Sequence, residues 1–199
     1  SYNNLVDVDC AHSCVQQFSN PACVIVKHAN PCGVAESSSI EIAYRKSFNC
    51  DPISSFGGII AVNRRLTISL IAKILKKQFV EVIVAPSVDK ACLDILKKKP
   101  NVRLLVIKNT KKRIKSYEIK SIKNKLLIQT SDNKDITKKN LKTVTKKKPT
   151  QTQTEDLIFA FKVARYVKSN AIVFVKNKTT LGIGAGQMSR IDSTKIAKE

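Results

Sequence analysis

Short, mostly apolar runs are the feature that most restricts the fold of this 199-residue chain. Four of them occur in its first 107 residues, at 22–27, 58–63, 80–85 and 102–107. An apolar run of about six residues without regular polar alternation is typical of a strand covered on both faces. We therefore predict four buried strands here, with other elements packed on both sides of them.

The segments between these runs carry signals for helices. Ser38 and Glu41 have the spacing of a capping box ahead of IEIAYRKSF. Thr67 can cap a second helix, and Asp89 begins a short third one. The resulting β-α-β-α-β-α-β order predicts an α/β layered fold with substantial parallel pairing.

The chain is less regular between residues 108 and 153. We interpret 108–153 as a lysine-rich connector that separates a first subdomain, 1–107, from the start of a second, 154–199. No repeat is evident by letter matching, although strand–helix order restarts near residue 155. The elements predicted after residue 107 are strands at 126–129 and 140–145, a helix from Thr154, a strand at 170–176, a turn at 177–178 and a return strand at 179–185.

The net charge of +21 is concentrated in one segment. Residues 97–148 contain 19 Lys and Arg against three acids, which accounts for +16 of it. Tyr117 is the only aromatic residue there, so no stacking platform for single strands is evident. Lys outnumbers Arg by 29 to 7 in the chain, whereas bidentate phosphate recognition favours Arg. We interpret the segment as a solvated surface with the composition of an AT-rich genome, and nucleic acid is not the expected partner.

The cysteines and the apolar runs indicate a cytoplasmic protein. The six cysteines include no C-x-x-C pair and match no small disulfide scaffold, so reduced thiols are the simplest interpretation. No apolar run approaches the roughly 18 residues that span a bilayer, and no signal-peptide pattern opens the sequence. We expect no association with a membrane.

Three polar clusters are candidates for chemistry. KHANPCG at 27–33 follows the first predicted strand, where open α/β sheets usually bind ligands, and its turn formers place Lys27 and His28 at a bend. DPISSFGG at 51–58 is a turn that leads into a strand. The third cluster joins KSN at 168–170 to GIGAGQMSR at 182–190, which lacks the G-x-G-x-x-G spacing of dinucleotide sites. Each cluster is also compatible with a plain connection.

The same clusters carry a resemblance to a known family. VKHANPCGVA (26–35), DPISSFGGIIAVNR (51–64), FVEVIVAP (79–86) and DLIFAFKVARYVKSNAIVFVK followed by GIGAGQMSRIDS (156–193) resemble, in order, the aminoimidazole-carboxamide ribotide (AICAR) formyltransferase family. SYNNLVDVDCA at the start and TVTKKKPT at 143–150 also fit. The similarity covers nearly the whole chain and is weakest in the lysine-rich middle.

The resemblance implies both a fold and a reaction. The fold would be cytidine-deaminase-like, with one subdomain here plus the start of a second, and active sites at the interface of a homodimer. The reaction would transfer a formyl group from the cosubstrate 10-formyltetrahydrofolate to the 5-amino group of AICAR, without zinc. The family's companion IMP cyclohydrolase activity belongs to a separate domain that this chain does not contain.

The resemblance also implies roles for residues. Lys27 and His28 match the family's catalytic pair, with His28 as the base and Lys27 at the developing oxyanion. Asn170 matches an active-site Asn that orients the carboxamide or formyl group. The implied substrate-binding positions are Ser55, Phe56, Gly57, Glu81 and Arg190.

Parts of the family pattern are absent from these 199 residues. Its upstream R-Y-G-x-N-P-H-Q motif does not occur, and neither does its C-terminal part, which supplies further phosphate and folate contacts. We therefore expect a fragment that retains half of a site and has little or no activity alone.

Three alternatives remain at this point. H-A-N-P-C at 28–32 echoes the H-x-E and P-C-x-x-C elements of zinc nucleobase deaminases, but Asn30 replaces the essential Glu and no second Cys follows Cys32 by three residues. A basic nucleic-acid-binding domain would use residues 97–148. A decayed remnant of the enzyme would keep part of the fold and lose the function.

Overall fold

The computed structural model describes residues 1–108, 117–132 and 134–199. Its elements are α1 (Tyr2–Val15), β1 (Ala22–Lys27), β2 (Asn30–Glu36), α2 (Ile40–Cys50), β3 (Gly58–Val62), α3 (Ile68–Lys77), β4 (Val80–Ala85), α4 (Lys90–Lys97), β5 (Arg103–Val106), β6 (Tyr117–Ile122), β7 (Lys125–Thr130), α5 (Gln151–Ala164), β8 (Ile172–Val175), β9 (Thr180–Gly184) and α6 (Arg190–Lys198). The first five strands form one sheet in the order β2-β1-β3-β4-β5.

The sheet is mixed. β3, β4 and β5 run parallel, as the alternation of strands and helices predicts, whereas β1 is antiparallel to both β2 and β3. The difference arises at the end of β1, where a two-residue turn reverses the chain into β2, a strand absent from the sequence prediction. The α/β class is confirmed, and the deaminase-like layering stays a prediction.

Helices cover both faces of this sheet, which explains the continuous apolar runs. Val24 and Val26 of β1 pack in a core with α1 and α5, whereas Cys23 and Ile25 pack on the opposite face in a core with α2 and α3. Successive side chains of a strand point to opposite faces, so a strand between two helical layers must be apolar at every position. All four of these residues are fully buried.

The observed helix starts differ slightly from the predicted ones. Ser39 rather than Ser38 caps α2, and its hydroxyl accepts the Ile42 N–H at 3.3 Å. Thr67 caps α3 as predicted. Thr150 caps α5 in a capping box with Gln153, so this helix begins three residues before Thr154.

The segment after β5 differs more from the prediction. The strand predicted at 140–145 is wrong, because Lys138–Asn140 forms one 3₁₀ turn and the residues after it have no regular structure. The strand predicted at 126–129 is confirmed as β7, which pairs with an unpredicted β6. Residues 109–116 and 133 of the predicted connector lie outside the described residues. Among the residues that are described, no helix is long and apolar enough to cross a membrane.

The structure shows a repeat that letter matching does not. A first unit, α1-β1-β2-α2, and a second unit, α5-β8-β9-α6, each consist of a helix, a β-hairpin and a second helix. Both hairpins turn through two residues with φ between 52° and 56°: His28 and Ala29 in the first, Asn177 and Lys178 in the second. The second turn is closed just outside β8 and β9, where Lys176 and Thr179 exchange backbone hydrogen bonds of 3.0 and 3.1 Å. Two consecutive residues with positive φ are what type I′ hairpin turns require.

The two units also share their internal contacts. Asp7 of α1 accepts both amide N–H groups of the first turn, and Asp156 of α5 accepts both of the second. The second helix of each unit lies so close to its hairpin that a Cβ on Gly33 would overlap the Ser47 carbonyl oxygen, and one on Gly184 would overlap that of Ser193. These glycines are therefore required by packing.

The second unit packs beside the first through β9. The Thr180 hydroxyl accepts the Val34 N–H at 2.9 Å and donates to the Val34 carbonyl at 3.1 Å. Ala35 and Thr179 form an antiparallel bridge. On the same side as α1, Phe159 and Val163 of α5 contribute to the shared core.

We predict that Gly33→Ala lowers the free energy of unfolding by about 1–3 kcal/mol or more, since the new methyl group must displace α2 from β2. Urea unfolding followed by circular dichroism measures this. The control is Ser38→Ala, at an exposed position between β2 and α2, which should leave the midpoint of the unfolding transition nearly unchanged. An unchanged midpoint for Gly33→Ala would contradict the close approach of β2 and α2.

Candidate active site

A cavity of about 490 Å³ lies between the start of α1 and the turn that follows β1. Five of the sequence-predicted site residues line it, namely Lys27, His28, Phe56, Gly57 and Glu81. The other lining residues are Ser1, Asn3, Asn4, Asp7, Ile59 and Phe79. The ends of β1, the loop before β3 and the start of β4 thus meet at one place, although they are far apart in sequence.

Lys27 is held at the wall of this cavity by the loop before β3. Its ammonium nitrogen donates to the Phe56 carbonyl oxygen at 2.8 Å. Gly57 follows with φ of 73°, a left-handed conformation that glycine adopts without strain, and donates its N–H to the Phe79 carbonyl at 2.9 Å. The ammonium group therefore has a fixed partner and retains donors for a ligand.

His28 occupies the first position of the left-handed turn, where its side chain is exposed at the cavity. Its backbone N–H donates to Asp7 Oδ2 at 3.1 Å, and the N–H of Ala29 donates to Asp7 Oδ1 at 2.6 Å. A bend follows β1 as predicted, but His28 and Ala29 form it, whereas the turn formers Asn30, Pro31 and Gly33 from which it was predicted lie in β2. The bend presents the imidazole while the backbone amides of His28 and Ala29 are anchored.

Asn30 connects this turn to the second unit. Its side-chain nitrogen donates to the His28 carbonyl at 3.1 Å, and its side-chain oxygen accepts the N–H of Lys168 at 2.9 Å. Lys168 lies two residues before Asn170, so the loop that carries Asn170 is tied directly to the His28 turn. Sequence analysis missed this positioning role of Asn30.

Asn170 has both of its side-chain donor hydrogens engaged. Its Nδ2 donates to the Gln187 and Met188 carbonyl oxygens, each at 2.9 Å. Only Oδ1 remains for a ligand, and it can accept a hydrogen bond but not donate one. Asn170 and Arg190 are not among the residues that line the 490 Å³ cavity, and Arg190 is exposed at the first position of α6.

Glu81 and Ser55 differ in what they can offer. Glu81 is half-buried in the cavity wall, and its Oε2 accepts the side-chain N–H of Asn4 at 2.9 Å. That contact does not use Oε1, which can accept a hydrogen bond from a ligand. Ser55 is fully buried and its hydroxyl donates to the Asp51 carbonyl at 2.7 Å. The structure therefore gives Ser55 a place inside the loop rather than on the cavity wall.

A second cavity, of about 600 Å³, adjoins the first. Phe56 and Phe79 line both, with ring centroids 5.7 Å apart and ring planes inclined at 46°. Its other lining residues include two lysines from the last turn of α3, Lys76 and Lys77, and two that follow α4, Lys98 and Lys99. An aromatic wall therefore lies between the Lys27–His28 cavity and a positively charged one.

Thiols near the site are protonated at neutral pH. Burial raises the pKa of Cys10 and of Cys32 from 9.0 to about 12 in each case. Cys10 lies 3.7 Å from the Ala29 carbonyl, and Cys32 lies 3.9 Å from the Ser55 hydroxyl.

Within residues 1–108, 117–132 and 134–199, no three His, Cys, Asp or Glu side chains are grouped so as to hold a metal ion.

Asp7 is one of the six cavity-lining residues that sequence reasoning missed, and it is the one that binds the His28 turn. It lies in the SYNNLVDVDCA string, but its residue type and neighbours do not reveal that it binds a turn 21 residues later. One signal was present: Asp156 precedes the predicted turn at 177–178 by the same 21 residues. That coincidence acquires meaning only once the two hairpins are recognised as equivalent.

Together, the fold and cavity define an α/β protein with a Lys–His pair at the end of a central strand. The family model of the AICARFT/IMPCHase bienzyme matches residues 1–199, and the chain belongs to that family. It is 55% identical over 197 residues to the bifunctional purine biosynthesis protein PurH of Buchnera aphidicola subsp. Schizaphis graminum (strain Sg). It is 53% identical over 197 residues to the protein of the same name from Xylella fastidiosa (strain 9a5c).

These matches cover 99% of this chain but only 38% and 37% of the two relatives. The chain therefore spans well under half the length of the curated relatives it matches.

We predict that Cys10 and Cys32 resist alkylation in the folded protein. A pKa raised from 9.0 to about 12 lowers the thiolate fraction at pH 8 about a thousandfold, and the thiolate is the reactive form. Iodoacetamide labelling with mass spectrometry measures this, and labelling in urea is the control. The stability that comes from these two half-buried thiols should be complete below pH 9 and lost as the pH rises toward 12. Rapid native-state labelling of either residue at pH 8 would contradict the raised pKa of its thiol.

Proposed function

We propose that this chain is part of an enzyme of purine biosynthesis that transfers a formyl group from 10-formyltetrahydrofolate to the 5-amino group of AICAR. The observation that carries the proposal is the placement of Lys27 and His28 at one cavity with Glu81 and Phe56, in a chain of the AICARFT/IMPCHase bienzyme family. The names of the two PurH relatives support the pathway.

The chemistry of the reaction fits these two side chains. The 5-amino group is a weak nucleophile because its lone pair is conjugated with the imidazole carboxamide, so it needs a base as it attacks the formyl carbon. His28 is exposed at the cavity and takes that proton, with help from the substrate carboxamide. The attack places negative charge on the formyl oxygen, which the Lys27 ammonium stabilises, and the Phe56 carbonyl oxygen holds that ammonium in place. When the tetrahedral intermediate collapses, the bond between the formyl carbon and N10 of the folate breaks, and N10 takes up the proton held by His28, so that tetrahydrofolate leaves.

Other residues bind and orient the substrate in this proposal. Asn170 acts through Oδ1 alone, so it accepts a hydrogen bond from an N–H group of the carboxamide or the amine. Glu81 is also an acceptor for substrate N–H or O–H groups. Phe56 and Gly57 contact the ribotide, and the exposed Arg190 binds its phosphate. Ser55 supports the Phe56–Gly57 loop from within.

In this proposal the folate cosubstrate binds in the adjoining 600 Å³ cavity. A folate has a planar ring system and an anionic glutamate tail. The Phe56–Phe79 wall offers aromatic surface to the ring, and Lys76, Lys77, Lys98 and Lys99 offer positive charge to the tail. The wall is shared by the two cavities, so donor and acceptor would meet beside Lys27.

We further propose that the active enzyme needs more than these residues. The chain spans 38% of the Buchnera relative, and the family's remaining motifs would come from the rest of a longer protein. That protein would be cytoplasmic and form a homodimer. It would also carry IMP cyclohydrolase activity in another domain. The isolated 199-residue chain would then have little or no activity.

We predict that His28→Ala lowers kcat for AICAR formylation by about 10²–10⁴-fold, as expected when a general base is lost. The measurement is AICAR-dependent formyl transfer by the completed chain, which we define as these 199 residues joined to the flanking sequences of the Buchnera relative. AICAR binding, measured by calorimetry, should be retained.

The matched control for this substitution is Asn177→Ala. Asn177 has the same position in the equivalent turn of the second unit, with φ of 52° against 54° for His28. Its kcat should stay within about threefold of the unsubstituted enzyme, because it is an exposed substitution away from the cavity. Equal kcat values for the two variants would make the Lys–His pair structural and remove the proposed mechanism.

We also predict that the isolated 199-residue chain forms no product above the enzyme-free background in the same assay, while the completed chain does. The physical reason is that the ribotide phosphate and the folate need contacts from segments outside these residues. Robust turnover by the isolated chain would show that the site is complete without them.

A further inference from the structure

Asp7 of α1 binds the turn that carries His28, the proposed base. We propose that Asp7 is a positioning residue, which fixes the turn that carries His28 and thereby aims the imidazole into the cavity. This inference rests on the proposed function, since it assigns Asp7 a task only if His28 takes part in formyl transfer.

The geometry of the contact is specific to a carboxylate. The two turn amides, of His28 and Ala29, point to the same side and donate to different oxygens of Asp7, at 3.1 and 2.6 Å. An ionised carboxylate offers two acceptor oxygens and no donor. An asparagine in its place would turn an NH₂ group toward one of the amides, so one hydrogen bond would be replaced by a repulsive contact.

The turn needs such an anchor because neither of its residues is a glycine. His28 and Ala29 have φ of 54° and 56°, and residues with a Cβ disfavour this region. Without Asp7, the turn can relax toward other conformations, and the His28 side chain moves with it. The helix that carries Asp7 is itself fixed, since Val8 and Ala11 are buried in the core.

The rest of the His28 backbone is also held. Its carbonyl oxygen accepts the side-chain N–H of Asn30, which is tied in turn to Lys168 of the second unit. Because the backbone N–H and C=O of His28 are both hydrogen-bonded, the imidazole can move only by rotation about its side-chain bonds. Asp7 also lines the cavity, so the anchor lies within reach of the place where a substrate would bind.

The second unit contains the same contact between a helix carboxylate and a two-residue turn, but its turn carries no proposed catalytic residue. Asp156 accepts the Asn177 and Lys178 amides at 2.9 and 2.7 Å, across the same 21- and 22-residue separations as in the first unit. That turn has no histidine, and Asp156 is not among the cavity-lining residues. The structural effect of losing the carboxylate can therefore be separated from its effect on the reaction.

The experiment compares Asp7→Asn with Asp156→Asn in the completed chain, by thermal unfolding and by steady-state formyl transfer. Both variants should unfold at a lower temperature than the unsubstituted enzyme, because each loses an equivalent pair of hydrogen bonds. Only Asp7→Asn should lower kcat, by about 10- to 100-fold, as expected for a displaced catalytic group. Its KM for AICAR should stay within about threefold, because a positioning residue acts on the transition state more than on ground-state binding.

A second pair of variants keeps the test decisive if Asp7→Asn alone does not fold. Ala29→Gly lowers the cost of the left-handed turn, so Asp7→Asn and Asp156→Asn are also compared with Gly at position 29. The expected kcat difference between them persists, since glycine permits the turn but does not aim it.

Equal kcat values for the Asp7 and Asp156 variants in either background would overturn the inference, as would a raised KM with unchanged kcat, which would make Asp7 a substrate-binding residue. The proposed function fails separately, if the unsubstituted completed chain forms no formylated product.

Discussion

The paired hydrogen bonds from the His28 and Ala29 amides to Asp7 are the contact on which this arrangement depends. They stabilise a left-handed two-residue turn that reverses the chain after β1. Because of that reversal, β2 becomes the edge strand against which β9 of the second unit packs. The same turn places His28 at the cavity. One local interaction thus affects the sheet order, the docking of the second unit and the candidate site.

The same carboxylate-anchored turn occurs in both units, but it lies at the candidate site only in the first. In both units a helix carboxylate anchors the hairpin, and a close approach at Gly33 or Gly184 brings the second helix against it. Only the first turn carries a histidine and opens on the cavity lined by Glu81. The repeated contacts therefore account for the fold, and the differences between the two turns account for the proposed specialisation.

Much of the local structure could be predicted because its causes are local. Four of the five strands of the first sheet follow from apolar runs that need cover on both faces, and Thr67 caps its helix as its position indicates. The errors have local causes as well. The predicted start at Thr154 is late because the capping box begins at Thr150, and β2 was missed because N-P-C-G is composed of turn formers that here follow a reversal.

The sequence by itself determined the α/β class, the family and five of the residues that line the candidate site, since these depend on residue type and order. Only the tertiary structure decided that β1 is antiparallel to its neighbours, that Asn170 can use Oδ1 alone, and that Asp7 anchors the His28 turn. These facts depend on hydrogen bonds between residues far apart in the chain. Such contacts leave no periodic pattern, so they become visible only when the elements are in place.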